Sequence, residues 1–249
     1  MSVDALTFGR LRGFNATEGL LLVVSIACSA VYLLTQTMQP FRGSVVLKAL
    51  SIAPLAVLAF TLLREPDNQT SGFARAANLL RDRDNLILSA ALSFSCLGDI
   101  FLDLDPATYF IHGLLAFLVA HFIYILLFVR NWPRPLRPIG KQLLLAAIVL
   151  IYSLSFSNWL SPGLGSFAKP VMLYVCVLTA MVITTILAGF SKPWVWLGAI
   201  LFMISDSILA THKFKTDVTL RNYLVWVTYY LGQYGIAIGF LHEKLRIQK

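Results

Sequence analysis

Charge is what this sequence has least of. Only 13% of its 249 residues are Asp, Glu, Lys or Arg, and just 12 of them are acidic, while 58% are hydrophobic. Soluble domains carry about 25% charged and 45–50% apolar residues. With a mean hydropathy of +0.76, the chain reads as a polytopic membrane protein. It also lacks a linker or polar stretch long enough to set off a soluble domain. Cysteine is scarce too: Cys28, Cys96 and Cys176 each fall inside an apolar run, with no CxxC pair. That pattern argues against a disulfide framework or a thiolate metal site and for small hydrophobic packers. The net charge of +8 does not mark a nucleic-acid binder. The Lys and Arg lie in short loops, without a basic-aromatic surface or charged tail, so topology and anionic lipid headgroups explain them better.

What is there is a series of apolar runs near the ~20 residues a spanning helix needs. The reading is all-α: an eight-transmembrane-helix bundle forming a single transmembrane domain over 1–249. The spans are 19–37, 45–63, 86–105, 109–129, 139–158, 168–190, 193–212 and 221–241. Turn chemistry marks the breaks at Gln39-Pro40, Arg64-Glu65-Pro66, Asp105-Pro106, Pro133-Arg134-Pro135, Ser161-Pro162-Gly163 and Lys192-Pro193. The longest connection, 64–85, holds the weakly amphipathic GFARAANLL, read as a short interfacial helix. Arg10 and Arg12 before GLLLVVSIACSA resemble the start of a signal peptide. The apolar run continues through Val31, Tyr32, Leu33 and Leu34, so an uncleaved first helix is expected.

Orientation follows from the Lys and Arg. Fourteen of the 20 lie at the N-terminus, the C-terminus and the loops between helices 2–3, 4–5 and 6–7, against five in the other loops, with Lys48 inside helix 2. The positive-inside rule then puts both termini in the cytoplasm, as in a multi-pass protein of a bacterial inner membrane. The loop between helices 7 and 8 dissents, with Lys213, Lys215 and Arg221 on the outer side.

That topology gauges depth at ~1.5 Å per residue. Asp99, in LSFSCLGDIFLDL, sits about two turns from the outer end of helix 3. Asp206, in LFMISDSILATHKF, lies at a similar level in helix 7. Lys48 and His112 are one turn in, His121 is near the midplane, and Tyr229, Tyr230 and Gln233 lie two to three turns down helix 8. Five helices thus bring unusual polar groups to one slab, as expected of a shared cavity, and helices 1, 5 and 6 read as scaffold. Plainer roles exist for each group. Lys48 and His112 can snorkel, His121 can bond a helix carbonyl, the tyrosines can be belt residues, and Gln233 can join helices. Asp99 and Asp206 resist dismissal, because a bare charge at bilayer depth costs about 2.5–3.5 kcal/mol on insertion scales. Their structural alternative is an ion pair with Lys48.

Three chemistries suit such a slab. A protonated acid beside an ionised carboxylate hydrolyses acetal-like and enol-ether bonds. A zinc site from His112, His121, His212, Asp99 and Asp206 is chemically adequate, although His112 and His121 are nine residues apart instead of four. A proton-coupled transporter also uses intramembrane Asp, His and Lys, but no internal repeat supports it. GxSxG is absent, so no activated serine is indicated.

At these residues the sequence resembles the lysoplasmalogenase (YhhN-like) membrane proteins. The similar pieces are LGDIFL around Asp99, YFIHGLLAFLVAHFIY from Tyr109 to Tyr124, FMISDSILATHKF from Phe202 to Phe214, and TYYLGQ from Thr228 to Gln233. Lys48 in VLKALSIAP looks like the family's helix 2 lysine, with Pro54 falling later than Lys-x-x-Pro. The resemblance implies an ether hydrolase that cleaves the vinyl ether of a lysophospholipid substrate, lysoplasmalogen, to a fatty aldehyde and glycerophospho-ethanolamine or -choline. It implies Asp99 and Asp206 as the catalytic pair; Lys48, His112, His121, Tyr229, Tyr230 and Gln233, at the same level, are then expected to tune the pair or bind substrate. No metal or other cofactor is implied. Asp103 and Asp105 fall outside the matching pattern and read as interfacial.

Overall fold

The computed structural model describes residues 15–38, 41, 43–62, 72–133 and 140–246, the side chains of 72–82 and 245–246 apart. Arg10 and Arg12, and the expected breaks at 64–66 and 134–135, lie outside the described residues. Among the described residues the chain is helical without strands. The helices are α1 (Ala16–Leu34), α2 (Ser44–Thr61), α3 (Gly72–Leu104), α4 (Phe110–Arg130), α5 (Gly140–Leu160), α6 (Ala168–Leu187), α7 (Trp194–Phe214) and α8 (Arg221–Arg246). All eight contain a stretch long and apolar enough to cross a membrane.

Local chemistry explains where the helices start and turn. Helix α1 begins three residues earlier than hydropathy alone places it. Asn15 accepts from the Glu18 amide at 2.9 Å, while Glu18 accepts from the Asn15 amide at 2.7 Å, a reciprocal cap for the first exposed N–H groups. The segment GFARAANLL is not a separate interfacial helix. It runs without a break into the third span as the start of α3, and no proline or glycine stands between Gly72 and the span to stop it. Between α3 and α4, Asp105 accepts from the Ala107 amide at 2.9 Å. Hydrogen bonds from Thr108 and Ala107 hold its carboxyl below the usual carboxylate range.

Neighbours in sequence pack as neighbours in space: α1 on α2, α2 on α3, α3 on α4, and α7 on α8. Helix α4 then skips to α6, leaving α5 mainly against α6 at the periphery, while α8 returns to touch α1, α2 and α3. The core between them is filled by Ile52, Leu55, Tyr124, Phe128, Phe202 and Phe240. Leu20, Leu34, Phe122, Leu144, Ile151 and Leu154 face outward, as apolar residues do on a surface that meets lipid.

The tightest seam is α7 against α8, and glycine makes it possible. A Cβ on Gly198 would lie 2.6 Å from the Gly232 carbonyl oxygen and 2.8 Å from the Ile236 nitrogen; one on Gly232 would lie 2.9 Å from the Gly198 oxygen. Small residues let membrane helices approach backbone to backbone, and here they fix α8 against the helix that carries Asp206. Gly198→Val is therefore expected to cost about 2 kcal/mol or more, read as a lower unfolding midpoint in detergent. Gly19→Ala, whose Cβ would meet nothing within 4 Å, is the matched control. An unchanged midpoint in Gly198→Val would refute the seam.

Candidate active site

Two polar assemblies stand side by side, toward the end of the bundle where α3 turns into α4. The first is centred on Asp99, 2% exposed. Its Oδ1 lies 3.6 Å from Lys48 Nζ of α2, and its Oδ2 accepts from the Tyr229 hydroxyl of α8 at 2.5 Å. Behind Tyr229, Gln233 Nε2 donates to the tyrosine oxygen at 3.4 Å, and Tyr124 of α4 donates to Gln233 Oε1 at 2.7 Å. Each donor in this row points toward Asp99, so the dipoles add in the direction that favours a carboxylate at the end. On the other side of Lys48 stands Asp103, 3.9 Å from Nζ and bonded by the Tyr32 hydroxyl of α1 at 2.7 Å.

The second assembly is centred on Asp206 of α7, which accepts a short hydrogen bond from the Tyr174 hydroxyl of α6. Asp206 faces an apolar pocket lined by Tyr174, Phe117, Phe110, Tyr152 and Phe214 among others. Asp206 is the one charged side chain in its wall among the described residues. Asp99 and Lys48 do not line it. Between the two assemblies stand aromatic rings: Tyr229 packs on Phe117 and Phe202 at 5.8 and 5.3 Å between centroids. His121 in turn packs on Phe202 and Tyr174 at 4.9 and 5.2 Å.

His121 is the unusual member. It is fully buried, and neither ring nitrogen has a hydrogen-bond partner among the described residues. Such orphaned groups are rare in a folded interior and point to a function or a bound water.

The residues expected from the sequence therefore divide. Lys48, Asp99, Tyr229 and Gln233 form one connected set, and Asp206 and His121 border the same aromatic wall. His112 does not join them. It is exposed on α4, against Phe101 and Tyr109, because nine residues at 100° each put it on the opposite face from His121. Tyr230 also turns away: its hydroxyl meets Ser25 of α1 at 2.9 Å, about 100° around α8 from Tyr229. Helices α1 and α6 are more than scaffold, since Tyr32 and Tyr174 bind Asp103 and Asp206. Asp103, half-buried near the end of α3, stands beside Lys48. Its i,i+4 spacing from Asp99 was the available signal; Tyr32 and Tyr174, lone tyrosines in apolar runs, gave none. A zinc site finds no ligand set: among the described residues no group of three His, Cys, Asp or Glu converges.

Residues 43–240 match the model of the YhhN family. The chain belongs to that family. It is 33% identical over 162 residues to the lysoplasmalogenase TMEM86A of Bos taurus and 35% identical over 163 residues to that of Homo sapiens. Each match covers 61% of this chain and 64% of the relative. It is 32% identical over 163 residues to a lysoplasmalogenase of Mycobacterium tuberculosis, covering 64% of this chain and 61% of that protein. The chain thus spans just under two thirds of the length of these curated relatives. No solved structure matches it.

The Lys48 cluster generates a stability test. Lys48→Met leaves two buried carboxylates without their cation and is expected to cost roughly 3–5 kcal/mol. Adding Asp103→Asn should recover part of that loss, giving a coupling energy of ~1 kcal/mol or more in a double-mutant cycle. Strict additivity in detergent unfolding would show that the three groups are not one unit.

Proposed function

We propose that this protein is a lysoplasmalogenase: an intramembrane hydrolase that cleaves the vinyl ether bond of lysoplasmalogen, with Asp206 as general acid and Asp99 as a fixed carboxylate. The observation that carries the reading is the position of Asp206, the lone charge among the described residues in the wall of an apolar pocket. The lysoplasmalogenases among its relatives supply the substrate class.

Proton transfer comes first. The Asp206 carboxyl donates its proton to the alkene carbon distal to the ether oxygen, and the π electrons leave an oxocarbenium ion at the carbon bonded to oxygen. The Asp99 carboxylate stabilises that cation through the aromatic wall, in a low-dielectric site where such fields act strongly. A water then adds to the cationic carbon and returns a proton to Asp206, forming a hemiacetal. Collapse moves the hydroxyl proton to the glycerol oxygen, releases the fatty aldehyde and frees the glycerophospho-headgroup. One water is consumed and no electrons are exchanged, so the scheme needs no cofactor.

The division of labour rests on the partners. Asp99 has a cation at 3.6 Å and a row of donors aimed at it, which suits an anion. Asp206 has only the Tyr174 hydroxyl among these contacts, which suits an acid that must gain and lose a proton. Tyr174 holds the carboxyl in the cavity wall. His121, beside Tyr174 and with both nitrogens unpartnered, is the polar group suited to holding the water. By the Lys and Arg distribution both termini face the cytoplasm of a bacterial inner membrane, and the site opens in the outer half.

The test is fatty aldehyde release from lysoplasmenylethanolamine by the detergent-purified protein. Asp206→Asn is expected to lower kcat by about 10²–10⁴, the range of a lost general acid, and Asp99→Asn to abolish most turnover as well. Excess chelator should change nothing. A folded wild-type protein that releases no aldehyde would sink the assignment, and chelator sensitivity would overturn the metal-free scheme.

A further inference from the structure

The catalytic groups leave the substrate's phosphate without a partner. Lys48, the cation the sequence offers for it, is held between Asp99 and Asp103 and does not line the cavity. Another lysine, Lys213, stands at the cavity's rim, with Lys215 two residues further along the chain. Lys213 Nζ lies 4.2 Å from the centroid of Phe110, and 5.9 and 5.8 Å from those of Phe167 and Phe214. Phe110 and Phe214 are cavity-wall residues. Lys215 Nζ lies 5.3 Å from the Trp159 ring. Neither lysine forms an ion pair among the described residues; the nearby Asp217 carboxylate faces His212 at 3.7 Å.

The spacing suits one molecule. Asp206 and Lys213 are seven residues apart on α7, two turns on one face, with a rise of ~10.5 Å. In a lysoplasmalogen, six bonds separate the vinyl ether carbon from phosphorus, as many as two residues of extended backbone, roughly 7 Å. A lysine side chain covers the remainder. The location also departs from the charge rule, because Lys213, Lys215 and Arg221 supply three of the five cations at this otherwise cation-poor end. A lysine that merely anchored the bundle would reach outward to the headgroup layer, whereas Lys213 folds back over the ring that forms the cavity rim.

We infer that Lys213, assisted by Lys215, binds the phosphodiester of the substrate headgroup and sets the vinyl ether at the level of Asp206. The chemistry of this ligand rests on the lysolipid reading above. Lys213 is thus a specificity residue for lysophospholipids over neutral glycerol ethers.

Two arms test it. In the first, Lys213→Met and Lys213→Met/Lys215→Met are assayed on lysoplasmenylethanolamine and on the matching 1-alkenylglycerol, which lacks phosphate. The ratio of kcat/KM between the two substrates is expected to fall at least tenfold, mostly through KM, with Lys213→Arg restoring most of it. An unchanged ratio, with both substrates affected alike, overturns the inference in favour of a structural role. In the second arm, binding of the uncleavable 1-hexadecyl lysophosphatidylethanolamine is measured on the same folded proteins against 1-hexadecylglycerol. Tenfold weaker binding of the phospholipid alone supports the subsite; equal affinities across wild type and variants overturn it. This arm decides the matter even if the wild type releases no aldehyde, an outcome that would sink the reaction while leaving phosphate recognition measurable.

Discussion

A carboxylate buried in a membrane must be neutralised or surrounded by donors, and Lys48 is where this bundle meets that demand. Its ammonium group stands between Asp99 and Asp103, with Tyr229 and Tyr32 completing their hydrogen bonds. The cluster draws on α1, α2, α3 and α8, so four helices depend on one cation for their register. Isolated ion pairs of this kind add little net stability, since desolvation opposes attraction. Their effect is to penalise every arrangement in which the partners separate. The position of α8 is further set by its glycine contact with α7, and through that contact the Lys48 cluster and Asp206 are held in a fixed relation.

From this arrangement follows a separation between a polar interior and an apolar cavity. The row Tyr124, Gln233, Tyr229 and Asp99 is sealed behind Phe117 and Phe202. The cavity presents hydrocarbon surface with Asp206 as its one charge among the described residues. The proposed hydrolysis draws on both: apolar walls beside the alkenyl chain, and an ordered field to stabilise charge that develops on it. The peripheral position of α5, packed mainly on α6, leaves the Tyr152 side of the cavity near the lipid-facing surface.

Much of the site was visible in residue spacing, and the misplacements have a common origin. Asp99 and Asp103, four apart, had to share a helix face. His112 and His121, nine apart, had to oppose each other. Tyr229 and Tyr230, adjacent, had to diverge by about 100°. All three facts are contained in helical geometry, and reading depth without azimuth missed them. Tyr32 and Tyr174 are different. A tyrosine in an apolar run carries no local sign of whether its hydroxyl meets lipid headgroups, a carbonyl or a carboxylate on another helix.

The sequence by itself determined the solvent, the eight apolar spans and the family. These depend on composition, hydropathy and local phase, which a linear chain displays directly. The tertiary structure decided which carboxylate Lys48 would pair with, that Tyr174 would reach Asp206, and that only Asp206 would enter the cavity. Those outcomes turn on how each helix is rotated against neighbours distant in the chain. That rotation is settled by contacts such as Gly198 on Gly232 and α4 on α6, in which the energy belongs to the pair and to neither segment alone.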